Sequence, residues 1–150
     1  MPTSPNGSRT QPLSRYKNDR MWNINANIVL ADVVSTATTA LIIEAVHAKL
    51  PTRLAIVLVT AFVDGAISLA IFAALHMYAN RARGVKDLIR VQMHRWVLSP
   101  LNYLIGSGIQ YLLLAAGVRV GIGVLIAYLS ALAIVRTIHT LYGRRSGLFH

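Results

Sequence analysis

Ionisable side chains set within long apolar stretches are the residues of this chain that could do chemistry. Asp32, Asp64, His76, Arg136 and His139 all fall inside such stretches, where an unpaired charge costs about 3 kcal/mol or more. Glu44 and His47 form a Glu-x-x-His pair, the spacing that supplies two ligands to di-iron helical bundles. That pair falls near one end of its stretch, whereas His76 and His139 fall near the opposite end, about 25 Å away by helical rise, and no second Glu-x-x-His exists. Glu44 and His47 are therefore expected to sit at an interface beside Lys49 or Arg53, and no metal or cofactor is expected. The chain lacks cysteine, which removes disulfides, thiol catalysis and thiolate metal sites. No serine nucleophile, phosphate loop or pair of carboxylates at one depth can be assembled, so a protein that is not an enzyme is expected.

The elements that must position these residues are four apolar stretches, at about residues 24–48, 54–79, 98–118 and 120–141. A hydrocarbon core about 30 Å thick needs roughly 20 apolar residues per helix, so each stretch is long enough to cross. Only 13% of the 150 residues are charged and mean hydropathy is +0.52, where a water-soluble domain would carry about 25% charge. The fold class expected is an all-α integral membrane bundle of four transmembrane helices in two antiparallel hairpins. Residues 1–22 are expected to form a disordered basic tail, 23–142 the membrane domain and 143–150 a short second tail.

The net charge of +10 would suggest nucleic acid in a soluble protein, but here the basic residues sort by side of the membrane. Arg9, Arg15, Lys17, Arg20, Arg81, Arg83, Lys86, Arg90, Arg95, Arg144 and Arg145 fall on one face, against Lys49, Arg53 and Arg119 on the other. Eleven against three places both termini in the cytoplasm, and Trp22, Tyr78, Trp96 and Tyr142 mark the same boundary. A bacterial cytoplasmic (inner) membrane is the expected location, with no nucleic-acid partner.

Punctuation supports hairpins. Thr52 after Leu50-Pro51 offers an N-cap, Ser99-Pro100 reads as a helix start, and Gly117-Val118-Arg119-Val120-Gly121 leaves room only for a tight turn. Between the second and third spans, Val85, Leu88, Ile89, Met93 and Trp96 recur at helical spacing opposite Arg83, Lys86, Arg90 and His94. This predicts an amphipathic helix over residues 83–96, lying on the cytoplasmic leaflet and attracting anionic lipid. Small residues repeat as Ala31, Ser35 and Thr39, as Ala61, Gly65 and Ser68, and as Ala127 and Ala131, which suits close helix packing within a bundle, a homodimer or a larger membrane complex.

Depth assigns provisional partners. Asp32, about 10 Å in from the cytoplasmic end, lies near the level of Arg136, about 7 Å in, with His139 a turn further out. An Asp32–Arg136 ion pair is the default, and with His76 these residues would line one cytoplasm-facing polar cavity. Asp64 has no basic residue at its depth, which leaves a protonated carboxyl bonded to Ser68, Ser107 or Gln110, or a site of proton exchange.

The ends of the second and fourth spans also match at an offset of 63 residues: His76, Arg81 and Gly84 fall opposite His139, Arg144 and Gly147, as two related hairpins would give. From Leu104 to Phe149, with Gly106 and Tyr142-Gly143-Arg144-Arg145 before Phe149, the chain resembles the GtrA-type family, thought to pass polyprenyl-phosphate-linked sugars across bacterial membranes. The first hairpin departs from that pattern at Asp32, Glu44 and Asp64. The resemblance implies a translocase whose anionic lipid ligand meets Arg83, Lys86, Arg90, Arg144 and Arg145. The leading expectation is a non-catalytic binding, assembly or accessory component. The translocase and a small proton-coupled transporter using Asp64 stand as alternatives.

Overall fold

The computed structural model describes residues 20–80 and 84–145, and these are helical apart from short turns. The helices are α1 (Arg20–Val46), followed by a single 3-10 turn (His47–Lys49), then α2 (Arg53–Ala79), α3 (Gly84–Ala115) and α4 (Val120–Arg145). No strand occurs among the described residues. Three segments are long and apolar enough to cross a membrane: Trp22–Lys49, Arg53–Ala79 and Val120–Ile138. Two arms of α3, Gly84–Val97 and Ser99–Ala115, make a fourth if they are counted as one bent span. Both features are consistent with an integral membrane protein. Helix α1 takes in Arg20–Trp22 and α4 takes in residues 143–145, which the sequence reading gave to the tails.

Helix boundaries follow local chemistry. Thr52, in extended conformation, accepts a hydrogen bond from the Ala55 N–H on its side-chain oxygen at 3.1 Å and caps α2 as its sequence suggests. Helix α3 ends in a turn where Gly117 takes φ +80°, open to glycine without strain, and α4 starts again at Val120. Gly121 is thus already helical and serves a different purpose. A Cβ there would lie 3.1 Å from Glu44 Oε2 and 3.2 Å from the Ala40 carbonyl oxygen, so its absence lets α1 and α4 close together.

Pro100 does not begin a helix, as Ser99-Pro100 had suggested. It lies inside α3, whose two arms meet at 46°. Proline lacks the N–H that would bond one turn back, and its ring crowds that carbonyl, so the helix kinks. The Ser99 hydroxyl donates to the Arg95 carbonyl at 2.9 Å, supplying a local partner to the backbone at the bend. The segment expected to lie on the membrane as a separate helix is the first arm of α3. Val91 on that arm is fully buried, in one cluster with Ile24, Ile28, Ala31 and Phe72. Val85, Ile89, Met93 and Trp96 are exposed on it, as are Lys86 and Arg90.

Contacts run α1 to α2, α2 to α3, α3 to α4 and α4 back to α1. Partners advance in opposite directions: Asn23 meets Asn80 and Asp32 meets Ser68 between α1 and α2. His76 meets Asp87, Ser68 meets Arg95 and Thr60 meets Gln110 between α2 and α3. The interior is notably polar. Asn23, Asn27, Ser35, Thr36, Thr39, Thr60, Asp64, Ser68, His76 and Gln110 are buried, while Leu41, Phe62, Leu104 and Leu112 are among the most exposed residues. Water would reverse that arrangement, whereas lipid favours it. Ala31, Ser35, Thr39, Ala127 and Ala131, all named from their spacing, have no exposed surface.

Candidate functional site

The centre of the polar interior is Arg95, supplied by the first arm of α3 just before the bend. One of its terminal nitrogens lies 3.1 Å from Asp32 Oδ1 and 3.0 Å from the Ser68 hydroxyl, to which it donates. The other donates to Gln92 Oε1 at 3.3 Å. Ser68 in turn donates to the same Asp32 oxygen, so α1, α2 and α3 meet in one closed set of hydrogen bonds. The guanidinium also stands 4.4 Å from the centre of the fully buried Phe72 ring, a cation–π contact. With the Arg95 and Asp32 side chains 11% and 20% exposed, solvent screens this pair little.

Arg95 corrects two sequence expectations. It replaces Arg136 as the partner of Asp32, because it lies on the first arm of α3 with its side chain toward Asp32, where the sequence suggested a loop residue. It also lies within a helix, as do Lys86 and Arg90, where the sequence reading counted all three as charges of the middle loop. Arg136 donates instead to Asn25 Oδ1 on α1. Asp32, Arg95 and Arg136 nevertheless line one small cavity of about 50 Å³, with Asn102 and Tyr103. The Asn102 side-chain oxygen is buried there with no hydrogen-bond partner among the described residues. Such a cavity has room for a few waters and for nothing larger.

His76 does not join that cavity. Its Nε2 pairs with Asp87 Oδ2 at 3.1 Å, and its Nδ1 faces the Asn80 amide nitrogen at 3.4 Å. Asn80 also donates to Asn23 Oδ1, to which Asn27 donates as well, so a separate buried network ties α1, α2 and α3 at this level. The side chains of His139, Arg144 and Arg145, together with residue Arg83, lie outside the described part of the structure, and the sites proposed on them stand where the sequence left them. Lys86 and Arg90 are exposed, one turn apart on α3.

Asp64 is held differently from expectation. Its Oδ1 accepts from Ser35 at 2.9 Å and from Thr36 at 3.2 Å, both on α1. Of the partners proposed from depth, Ser68 is engaged with Asp32 and Arg95, Ser107 faces the Tyr128 hydroxyl at 3.4 Å, and Gln110 donates to Thr60 at 3.0 Å. Near the opposite end, Glu44 meets neither Lys49 nor Arg53. Its two oxygens accept from Arg119 at 3.1 Å and from the Gly121 backbone N–H at 2.7 Å, across to α4 and the turn before it. His47 Nδ1 lies 2.6 Å from the Glu44 carbonyl oxygen.

The residues that sequence reasoning missed are Arg95, Asp87 and Tyr103. The available signal was register: His76 with Asp87 and Ser68 with Arg95 both sum to 163, as one antiparallel pair of helices requires, and Asp87 is the acid nearest His76 along such a pair. Tyr103 reaches across to α2, where a Cβ on Gly65 would lie 2.8 Å from its hydroxyl, and packs edge-on against Tyr128. No group of three or more His, Cys, Asp or Glu side chains that could hold a metal exists among the described residues. Comparison of the chain with protein-family models, with curated proteins and with solved structures finds no match in any of the three.

Proposed function

We propose that this protein is a four-span component of a bacterial inner membrane, with both termini cytoplasmic, that works without catalysis by binding and holding other membrane components. The observation that supports this reading is the way its intramembrane charge is used. Asp32 with Arg95, Asp64 with Ser35 and Thr36, and Arg136 with Asn25 each join two helices. Charges placed for chemistry are commonly left without a partner, whereas each of these is bonded to a neighbouring helix and stabilises one arrangement of the bundle. In this reading the two arms of α3 form the third span, and the exposed Val85, Ile89, Met93 and Trp96 turn toward lipid near the cytoplasmic face.

Native mass spectrometry of the protein extracted in mild detergent tests the reading. Co-purification with other membrane proteins in fixed stoichiometry is the expected result. A solitary protein that turns over a substrate would refute it.

The exposure of Lys86 and Arg90 favours one second reading, a GtrA-like translocase holding a polyprenyl-phosphate-linked sugar or another anionic lipid. Neutralising Arg83, Lys86, Arg90, Arg144 and Arg145 together then releases the retained lipid. Unchanged retention removes this reading.

A further inference from the structure

Helix α2 and the bend of α3 flank a groove of about 430 Å³, within the range of small-molecule sites. Phe62, Leu69 and Trp96 give it apolar and aromatic walls, and Arg95 and Tyr103 contribute polar groups. It adjoins a wholly apolar pocket of about 170 Å³, with which it shares Leu69, Gln92 and Trp96 and which runs on to Ile89 and Met93. One elongated site therefore offers hydrogen-bonding groups at one end and an apolar slot at the other.

The polar end contains donors rather than net charge. Arg95 directs three N–H groups to Gln92, Asp32 and Ser68, and its remaining two make no hydrogen bond among the described residues. The Tyr103 hydroxyl likewise has no hydrogen-bond partner among them. Asp32 already balances the charge of Arg95, and Asp64 lies close by, so a second anion gains little here. A neutral head bearing carbonyl acceptors gains the donors without adding a charge. The depth agrees: Arg95 pairs with Asp32, which lies about 10 Å in from the cytoplasmic end of its helix, inside the hydrocarbon of a bilayer about 30 Å thick. An ionised head at that depth is costly, and a neutral one is not. Trp96 and Phe62 provide flat faces for a planar ring, and the adjoining pocket provides a path for its tail.

We infer that this groove binds a membrane quinone: a neutral ring with carbonyl acceptors directed at Tyr103 and Arg95, and an apolar tail along Leu69 and Met93. The inference rests on the membrane-spanning binding role proposed above.

The experiment uses the full chain in lipid nanodiscs, with Trp22→Phe leaving Trp96 as the single tryptophan. Decylubiquinone is titrated against tryptophan fluorescence, with palmitate as the anionic control. Saturable quenching is expected. Tyr103→Phe should weaken it about three- to tenfold through loss of one hydrogen bond. Ala66→Phe, which fills the groove from an exposed position, should abolish it even if Tyr103→Phe loosens the packing. Leu112→Phe, exposed elsewhere, should leave it unchanged. Quenching that does not saturate, that ignores Ala66→Phe, or that palmitate competes away at equal concentration overturns the assignment. Alkaline carbonate washing of membranes separates the two levels. A protein that stays in the membrane and fails to bind quinone refutes only the ligand, whereas one that washes off refutes the membrane reading.

Discussion

Replacing Arg95 with Met is the perturbation whose effect the structure specifies most fully. The substitution roughly keeps the side-chain volume beside Phe72 while removing the 3.1 Å ion pair to Asp32, the 3.0 Å bond to Ser68 and the 3.3 Å bond to Gln92. Side-chain hydrogen bonds within membrane proteins are worth about 0.6 kcal/mol on average, so the Ser68 bond to α2 and the Gln92 bond within α3 together account for about 1 kcal/mol. The larger effect falls on Asp32, whose carboxylate is left largely buried without its counter-charge. Breaking a buried pair from one side costs about 3–5 kcal/mol. At about 2–4 °C per kcal/mol for a chain of this size, thermal unfolding in detergent should fall by roughly 10–20 °C. Combining Arg95→Met with Asp32→Leu removes both charges, and should recover more than half of the loss. An Asp32/Arg136 double-mutant cycle should give under half the coupling of the Asp32/Arg95 cycle, because Arg136 bonds to Asn25. The reasoning fails if Arg95→Met melts at the wild-type temperature, or if the Asp32 and Arg95 losses simply add.

Gly121→Ala puts a methyl group 3.1 Å from Glu44 Oε2 and 3.2 Å from the Ala40 carbonyl, and should destabilise by about 1–3 kcal/mol, read as a lower melting temperature; an unchanged value would mean that α1 and α4 do not meet there. Asp64→Asn keeps an acceptor for Ser35 and Thr36 and should cost under about 1 kcal/mol, whereas Asp64→Leu leaves both hydroxyls unpaired and should cost about 2 kcal/mol or more. In reconstituted vesicles, Asp64→Asn should also leave any pH-driven uptake intact, and loss of uptake in a folded variant would restore the proton-coupled transporter. Pro100→Ala should straighten α3, moving spin labels at Lys86 and Leu112 apart in a pulsed electron resonance measurement; an unchanged distance would locate the cause of the bend elsewhere.

Apolar periodicity carries information about helices, and it was read correctly at α1, α2 and α4, where long uncharged stretches leave few alternatives. It was less informative for α3, because the first arm carries Lys86, Asp87, Arg90 and Arg95 and looks in sequence like a surface helix. Only tertiary packing shows that Asp87 and Arg95 turn inward to His76 and Asp32. Proline added to the ambiguity, since Ser99-Pro100 fits both a helix start and a kink within a helix. The candidate residues Asp32, Asp64, His76 and Arg136 were legible because charge is rare in such stretches. Their partners were not, because depth measured along separate helices leaves rotation about each axis undetermined. Asp32 and Arg136 do line a common cavity, yet the bond forms with the residue whose side chain faces Asp32 from α3.

The bend also explains why the groove lies where it does. Below it, α2 and α3 keep one register: Ser68 with Arg95 and His76 with Asp87 both sum to 163. Above it, Thr60 meets Gln110, a sum of 170. From Ser68 to Thr60, α2 advances eight residues, about 12 Å, while α3 uses fifteen residues, about 22 Å, to reach the same partner level. With the second arm inclined by 46°, these residues cover only about 17 Å along the first arm's axis, and the reach of the Gln110 side chain makes up much of the remainder. The register between α2 and α3 therefore changes across the bend, just past Arg95. Gly65 and Ala66, with little side chain to fill the gap, face the opening, and the Tyr103 hydroxyl spans it. Straightening α3 would shift Trp96, Ser99 and Tyr103 relative to α2 and so change the walls of the groove. If the quinone assignment holds, Pro100→Ala should thus reduce quinone binding without touching any group that contacts the ring. A straightened helix that still binds at full affinity would show that the groove does not depend on the bend.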